Sequence, residues 1–310
     1  MNKPIFLLTG GSGMVGRNIL EHPGAQNWNI IAPSSKELDL TNSEKVEDFV
    51  VKCQPHIIVH AAGHVGGIQA NIASPITFLE RNVLIGRNIV MAGYKTGVRR
   101  LLNLASTCMY PKLAQNPLRE DMILTGELEH TNEGYALAKI MTTRLCQYIR
   151  REDPSVQFKT MIPCNLFGRY DKFEPKNSHL LPAIINKVHV AKVNKEKTVE
   201  IWGDGTVRRE FMYASDLADA ILRAADNINL LPDLMNCGVG YDHSINEYYQ
   251  NVADVIGWEG QFLHSLSKPV GMKQKLCSIE RQSAWGWTAS TSLRNAISKT
   301  YDFYLSQASK

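Results

Sequence analysis

The chain has 310 residues, of which 44% are hydrophobic and 21% are charged, and its formal net charge is +4. These values are typical of a globular protein with a substantial core, and no dense block of lysine and arginine indicates a nucleic-acid partner. Six cysteines without a Cys-x-x-Cys pair predict neither a disulfide framework nor a metal site. No apolar run is long enough for a signal peptide or a membrane span, so we expect a cytoplasmic protein that does not bind membranes.

Short apolar segments alternate with helical segments through the first half of the chain. We predict strands near residues 4–9, 28–32, 56–61, 99–105 and 157–163, and helices near 14–21, 44–53, 75–96 and 133–150. Strands that are apolar throughout and alternate with helices are typical of βαβ units in a parallel sheet covered on both faces. The predicted fold class is α/β: a Rossmann-like, doubly wound parallel sheet with a smaller C-terminal α/β substrate domain. The dinucleotide-binding domain is expected over residues 1–170 and the substrate domain over 171–310, with some elements of the second returning to the first.

A glycine-rich turn follows the first predicted strand and opens the first predicted helix. It reads Thr-Gly-Gly-Ser-Gly-Met-Val-Gly over residues 9–16. Small residues let the backbone approach a pyrophosphate, and the helix N-terminus supplies N–H donors and positive potential. The pattern predicts a dinucleotide site formed by Gly10, Gly11, Ser12, Gly13, Met14, Val15 and Gly16.

The residues after the second strand bear on which nicotinamide cofactor binds. An acidic side chain at the strand end would favour NAD, whereas this segment reads Ser34-Ser35-Lys36. Two hydroxyls and an ammonium suit a 2′-phosphate and so predict NADPH, while Glu37 lies close by and keeps NADH possible. Asp39 can either contact the adenine side or be a solvated loop carboxylate.

Three residues farther along the chain predict a reductase. Ser106 follows the apolar strand near residues 99–105, whose carboxyl end should face the ligand crevice of an open α/β sheet. Tyr135 and Lys139 are spaced i, i+4 on a predicted helix and therefore share one face. An ammonium beside a phenol stabilises the phenolate, so we expect Tyr135 to exchange a proton near neutral pH. Ser106 would then hydrogen-bond the carbonyl oxygen of a substrate.

Longer stretches of the chain resemble the GDP-L-fucose synthase family within the extended short-chain dehydrogenase/reductase superfamily. The superfamily pattern is the glycine turn, the strand-end serine and Tyr-x-x-x-Lys. The narrower resemblance lies in Val-Gly-Gly-Ile at 65–68, Ser-Thr-Cys-Met-Tyr-Pro-Lys at 106–112, Asn-Leu-Phe-Gly at 165–168, Asn-Ser-His at 177–179 and Trp-Gly-Asp-Gly-Thr at 202–206. The resemblance implies NADPH-dependent reduction of the C4 ketone of a GDP-linked 4-keto sugar, together with epimerisation at C3 and C5.

The resemblance also implies roles for individual side chains. Cys108 matches the base of the family and His179 its acid, exchanging protons at carbons that the C4 ketone acidifies. Further cofactor contacts are implied for Leu40, Ala61, Ala62, Leu104, Ala105, Lys139, Pro163, Asn165, Leu166 and His179. Substrate contacts are implied for Cys108, Asn165, Lys187, Trp202, Arg209 and Lys275. The resemblance further suggests a homodimer in which the two long helices pair across a two-fold axis.

Several positions depart from the family pattern where phosphates or substrate should bind. Gly11-Ser12 replaces a His-Arg pair, Lys187 replaces an arginine, and Val270 replaces an aspartate. One open alternative is a 4-reductase for a related GDP-4-keto deoxyhexose or heptose, with epimerisation done by another enzyme. Another is a nucleotide-sugar 4-epimerase or 4,6-dehydratase that retains NAD. A non-catalytic dinucleotide sensor is disfavoured, because the serine, tyrosine and lysine are all present.

Overall fold

The structure of the chain, a computed structural model, describes residues 3–174, 178–267 and 272–308; Asn177 and Val270, which the sequence singled out, lie outside these ranges. The strands are β1 (Ile5–Thr9), β2 (Asn29–Ile31), β3 (Ile57–His60), β4 (Arg100–Leu104), β5 (Gln157–Pro163), β6 (Asn165–Phe167), β7 (Thr198–Trp202), β8 (Arg208–Arg209), β9 (Phe211–Tyr213), β10 (Leu234–Cys237), β11 (His243–Ser244), β12 (Gln261–Ser265) and β13 (Gln274–Lys275). The helices are α1 (Met14–Glu21), α2 (Ser43–Cys53), α3 (Ile68–Ala73), α4 (Pro75–Lys95), α5 (Glu133–Glu152), α6 (Leu180–Val193), α7 (Ala214–Asp226), α8 (Ile245–Ile256), α9 (Glu280–Ala284) and α10 (Leu293–Ala308). None of the helices in the described ranges is both long and apolar enough to span a membrane.

The strands and helices predicted for the first half are confirmed, with ends that differ by at most two residues. A six-stranded sheet of order β10-β5-β4-β3-β1-β2 forms their centre, and every neighbouring pair is parallel. Because β1 lies between β2 and β3, the chain reverses the direction in which it adds strands. Such a reversal creates a crevice at the carboxyl ends of β1 and β3, where open α/β sheets bind ligands. The predicted Rossmann-like α/β class is therefore confirmed.

Alternate residues of the central strands pack into two separate apolar layers. Phe6 and Leu8 of β1 belong to a buried cluster with Ile19 of α1 and Leu217 of α7. Leu7, between them, belongs to a different buried cluster with residues of α2, α4 and α5. Successive side chains of a strand point to opposite faces, so a strand between two helical layers must be apolar at every position. This explains the continuous apolar runs of the sequence.

Most elements after residue 170 form another apolar core. Its buried side chains come from α6, α8 and α10 and from the short strands β6, β7 and β9. In contrast, β10 is the edge strand beside β5, and α7 packs against α1 over the central sheet. The parallel pair of β6 and β9 joins segments on either side of residue 170. The boundary between two domains at that residue stays a prediction.

Candidate active site

The glycine turn lies against the carboxyl end of β3. Gly10 has φ +78°, and a Cβ built there would lie 2.7 Å from the amide nitrogen of Ala62. A Cβ on Gly16, in α1, would collide with the carbonyl oxygen of Gly10. Both positions exclude a side chain, so the turn can pass closely between the strand ends. Gly13 precedes α1, and no described side chain caps the N–H groups of that helix start, which fits the pyrophosphate of a dinucleotide.

The loop after β2 binds its own acidic side chains. The Glu37 carboxylate accepts the N–H of Ser34 over 2.8 Å, and the Asp39 carboxylate accepts the N–H two residues later over 2.9 Å. These backbone hydrogen bonds lower the pKa of both carboxyl groups. Ser35 and Lys36 are exposed beside them. The end of the site where a 2′-phosphate is expected thus offers hydroxyls and one ammonium next to two ionised carboxylates.

The other implied cofactor residues follow the carboxyl edge of the sheet. Strands β3, β4 and β5 end side by side at that edge, and the implied residues at or just after these ends are Ala61, Ala62, Leu104, Ala105, Pro163, Asn165 and Leu166. Asn165 donates an N–H to the carbonyl oxygen of Glu210 over 2.8 Å. Leu40 lies apart, in the loop before α2, and its carbonyl oxygen accepts an N–H from Asn88 over 3.0 Å.

Four of the predicted catalytic residues meet beyond the end of β4. Ser106 precedes a 3-10 turn, and its Oγ accepts the N–H of Cys108 over 3.4 Å. On α5, the Nζ of Lys139 lies 5.7 Å from the centre of the Tyr135 ring. The same Nζ donates to the carbonyl oxygen of Leu104 over 2.9 Å. The last residue of β4 therefore anchors the helix face that carries the tyrosine and the lysine.

Burial controls the protonation of this cluster. It raises the pKa of Tyr135, and the neighbouring Cys108 raises it further, whereas burial lowers the pKa of Lys139 to about 8. The expectation that Lys139 brings the phenol into titration near neutral pH is wrong for this structure, because lost hydration outweighs the nearby ammonium. Tyr135 is a neutral phenol at physiological pH. This is the form that can donate a proton to a developing alkoxide.

The loop after β3 extends from this cluster to His179. A Cβ built on Gly63 would lie 3.8 Å from the Nζ of Lys139, and one built on Gly67 would lie 3.9 Å from the carbonyl oxygen of Ser178. His179 comes next in the chain and directly precedes α6. Although the residue is exposed at the surface, the pKa of its imidazole is lowered, chiefly by partial loss of hydration and also by a nearby lysine. The imidazole is therefore mostly neutral at pH 7.

The remaining implied substrate residues lie on elements of the second half. Arg209 of β8 and Lys275 of β13 are register partners in adjacent parallel strands, and burial lowers the pKa of each. Two partly buried cations side by side favour an anionic ligand. Trp202 ends β7 and is 53% exposed. Lys187 of α6 donates to the carbonyl oxygen of Glu200, so its ammonium is engaged at β7 in this conformation.

Glu210, the neighbour of Arg209 in the chain, is a supporting residue that the sequence did not single out by itself. It is fully buried, and its carboxylate accepts the N–H groups of Val239, Gly240 and Cys277 over 2.8–2.9 Å. These hydrogen bonds tie the segment after β10 to the segment that carries Lys275. The available signal was a single carboxylate directly after Arg209, between the short strands β8 and β9. Its partners lie too far along the chain to be inferred from spacing.

Known proteins of related function are similar to this chain over almost its whole length. Residues 6–238 match the model of the NAD dependent epimerase/dehydratase family. The chain is 50% identical over 302 residues to a GDP-L-colitose synthase of Yersinia pseudotuberculosis, covering 97% of this chain and 98% of the relative. It is also 50% identical over 300 residues to a GDP-L-fucose synthase of Azorhizobium caulinodans, covering 97% and 96%. A solved GDP-mannoheptose C4 reductase from Campylobacter jejuni with NADP bound has a TM-score of 0.88 at 28% identity, covering 98% of this chain and 99% of that one.

Proposed function

The chain belongs to the NAD dependent epimerase/dehydratase family, and we propose that it reduces the C4 ketone of a GDP-linked 4-keto sugar with NADPH, after epimerisation at C3 and C5. The observation that carries this proposal is the group of Ser106, Cys108, Tyr135 and Lys139 at the end of β4, in which the cysteine and the lysine are buried. The names of the relatives support a GDP-linked sugar as the substrate class. Two relatives that are named after different sugars are both 50% identical to this chain. Sequence identity alone therefore does not indicate which sugar the protein acts on.

The residues of the crevice fit a bound dinucleotide. The tight backbone from Gly10 to Gly16 and the start of α1 would hold the pyrophosphate, and Lys139 would reach the ribose next to the nicotinamide. The loop of Ser34, Ser35 and Lys36 would take the 2′-phosphate. NADPH, when bound, supplies the hydride that is added to C4. The NADP of the related solved structure supports this choice of cofactor.

In the reduction step, two side chains act on the C4 oxygen and a third acts on the tyrosine. The Ser106 hydroxyl donates a hydrogen bond to the ketone and keeps it in place. As negative charge develops on the oxygen, the neutral phenol of Tyr135 gives its proton, and the C4 hydroxyl forms. The ammonium of Lys139 stabilises the phenolate that remains, and a proton from solvent restores the phenol. Burial of the cluster strengthens each of these interactions because water does not compete with them.

In the epimerisation step, the same ketone accepts electrons. The Cys108 thiolate removes the proton from C3 or C5; the C–H bond breaks, an S–H bond forms, and the electron pair moves into an enolate whose oxygen is held by Ser106. Protonated His179 then gives a proton to the opposite face of that carbon. The ketone is restored, with inverted configuration. One ketone thus serves first as an electron sink and afterwards as the group that is reduced.

A second candidate is reduction without epimerisation. The similarity to a protein described only as a C4 reductase favours it. In that case Cys108 and His179 would contact the sugar without exchanging carbon-bound protons. The two candidates differ in whether solvent hydrogen enters the sugar ring.

An isotope experiment separates the two candidates. The protein is incubated with GDP-4-keto-6-deoxymannose in deuterated water, with and without NADPH, and the sugar carbons are examined by NMR. Deuterium at C3 and C5 supports epimerisation, and its loss in Cys108→Ser assigns the base. Reduction without deuterium at these carbons supports the C4 reductase. If NADPH is not consumed with this or a related GDP-4-keto deoxyhexose or heptose, the proposed reductase is wrong.

For the assembly, we propose a cytoplasmic homodimer formed through α4 and α5. These helices pack against each other, and Ile76, Leu79, Leu137 and Tyr148 remain exposed on them. Exposed apolar side chains on two neighbouring long helices are suited to a second copy related by a two-fold axis. Sedimentation of Leu137→Glu should then show a monomer, whereas Leu230→Glu, at an exposed leucine elsewhere, should remain dimeric.

A further inference from the structure

Tyr170 has a backbone conformation that residues with side chains rarely adopt. It lies just after β6, and its φ of +72° falls in the left-handed region. For a residue with a bulky side chain this conformation costs free energy, and it persists only where the surrounding structure holds it in place. Backbone strain of this kind collects at functional positions. The contacts of the Tyr170 ring therefore bear on what the segment after β6 does.

Helix α1 holds this segment with its side chains. The guanidinium of Arg17 lies over the Tyr170 ring, 3.9 Å from the ring centre. Glu21 accepts a hydrogen bond from the Tyr170 hydroxyl and forms an ion pair with Arg169 over 3.1 Å. The buried amide of Asn18 donates an N–H to the carbonyl oxygen of Arg169 over 3.2 Å. The segment after β6 is thus attached to α1 by stacking, by charge and through its backbone.

The α1 residues of this attachment lie one helical turn from the predicted pyrophosphate site. Arg17 donates its backbone N–H to the carbonyl oxygen of Gly13 over 2.9 Å. The Asn18 amide that binds the carbonyl oxygen of Arg169 also donates to that of Met14 over 2.8 Å. Helix α1 begins at Gly13 and Met14. A dinucleotide that fixes the start of α1 therefore also fixes the side chains that hold the segment after β6.

The Tyr170 ring also contacts α10. It meets the ring of Phe303 edge to face, with the two ring centres 4.8 Å apart. Slightly farther along the chain, the ring of Phe173 packs against that of Tyr304 at 5.0 Å. Helix α10 belongs to the apolar core of α6 and α8, whereas α1 belongs to the core that includes α7. Tyr170 therefore stands between the helix of the cofactor site and the core whose helix α6 begins directly after His179.

We propose that Tyr170 is a positioning residue that couples the cofactor half of the site to the substrate half. A dinucleotide at the start of α1 fixes Arg17 and Glu21, and through the Tyr170 ring it fixes α10 and the core to which α10 belongs. The sugar then binds to elements that are already held in place relative to the nicotinamide. Each ligand therefore binds more tightly when the other is present. This inference rests on the proposed function and adds to it a residue that acts without contacting the substrate.

The first test follows the coupling without a substrate. Hydrogen exchange of backbone amides is measured by mass spectrometry with and without saturating NADP⁺. In the unmodified protein, NADP⁺ should slow exchange about threefold in the glycine turn, in residues 168–173 and in α10. Tyr170→Asn loses the ring, but asparagine suits the left-handed conformation. In that variant the slowing should remain at the glycine turn and largely disappear from α10. Equal slowing of α10 in both proteins overturns the inference.

Three further variants control this result. Tyr170→Phe keeps the ring beneath Arg17 and should retain the slowing in α10, because only the hydroxyl is lost. Arg17→Ala changes an exposed helix residue, so it should leave the fold intact and reproduce the effect of Tyr170→Asn. The matched control is Leu124→Asn, at a second residue with positive φ, +68°, that is 53% exposed, and it should change nothing. If Arg17→Ala behaves like Leu124→Asn, the contact between α1 and the ring does not carry the coupling and the inference is wrong.

The second test measures the coupling as an affinity. GDP-mannose, a stable GDP-linked hexose without the C4 ketone, is titrated by calorimetry with and without saturating NADP⁺. NADP⁺ should tighten its binding about tenfold in the unmodified protein but only about twofold in Tyr170→Asn. A merely structural role would weaken the binding of GDP-mannose equally with and without NADP⁺, and an equal gain in both proteins overturns the inference. If GDP-mannose binds neither protein while hydrogen exchange in α10 still distinguishes them, the role of Tyr170 is supported and the GDP-linked substrate is refuted instead.

Discussion

The two ends of the site are built in different ways. The cofactor end combines the glycine turn, which offers backbone N–H groups and excludes side chains at Gly10 and Gly16, with the exposed loop that follows β2 at Lys36. At the end of β4, it offers titratable side chains that burial removes from water, including Cys108 and Lys139. Shape thus determines what the first end can bind. Dehydration determines how the second end can react, because it shifts protonation equilibria by whole pKa units.

If dehydrated side chains perform the chemistry, Tyr135→Phe should have the largest effect of any conservative change. Loss of the phenolic proton should lower kcat for reduction by about 1,000-fold, within the usual range for a positioned acid. The measurement is NADPH consumption at saturating substrate. Tyr148→Phe, on the same helix and 49% exposed, is the matched control and should keep full activity. A Tyr135→Phe enzyme within tenfold of the original rate would remove the tyrosine from the mechanism.

If the shape of the backbone determines what the cofactor end can bind, Gly10→Ala should weaken NADPH binding by about 100-fold. The reason is that displacing the backbone costs up to about 3 kcal/mol of binding free energy. The added Cβ would lie 2.7 Å from a backbone nitrogen. Gly97→Ala is the control that separates the steric clash from backbone strain. Gly97 also has a positive φ, +80°, but a Cβ built there would have no heavy atom within 4 Å. It should lose about 1 kcal/mol of unfolding free energy and keep its affinity for NADPH. Equal affinities of the two variants by fluorescence titration would contradict the steric explanation.

The pH dependence of deuterium exchange should differ from that of reduction. Burial raises the pKa of Cys108 and lowers that of His179, so the required thiolate and imidazolium are both minority forms near neutrality. Between the two pKa values, the thiolate fraction rises with pH as fast as the imidazolium fraction falls, which gives a flat maximum. Exchange should fall about tenfold per pH unit below the pKa of His179, where the thiolate is lost, and above that of Cys108, where the imidazolium is lost. Coincident profiles for exchange and reduction would argue against this pair.

The smallest effect is expected at the exposed end of the cofactor loop. Lys36→Ala should reduce kcat/KM with NADPH about threefold and leave kcat/KM with NADH unchanged, because exposed charges contribute about 1 kcal/mol or less. Lys52→Ala, an exposed lysine at the end of α2, should alter neither value. A loss of tenfold or more with both cofactors would mean that Lys36 supports the loop and not the 2′-phosphate.

Much of the fold could be predicted because its signals are local. Most strands and helices of the first half, though not α3, were recognisable from apolar runs and helical spacing. The glycine turn and the pair of Tyr135 and Lys139 are likewise short stretches of the chain. The charge state of Tyr135 was not predictable in this way. The sequence shows an ammonium four residues away, whereas the tertiary structure shows how much water both groups lose, and the second effect is larger.

The sequence by itself determined the α/β alternation, and it predicted the place of the dinucleotide and the groups that can transfer protons. Only the tertiary structure decided that Arg209 and Lys275 are register partners, that Glu210 ties the segment after β10 to the segment of β13, and that Lys187 is engaged at β7. The physical reason is the range of the interactions. Periodicity and turn chemistry act between neighbours in the chain, while burial and electrostatic pairing depend on residues that folding brings together from opposite halves of the sequence.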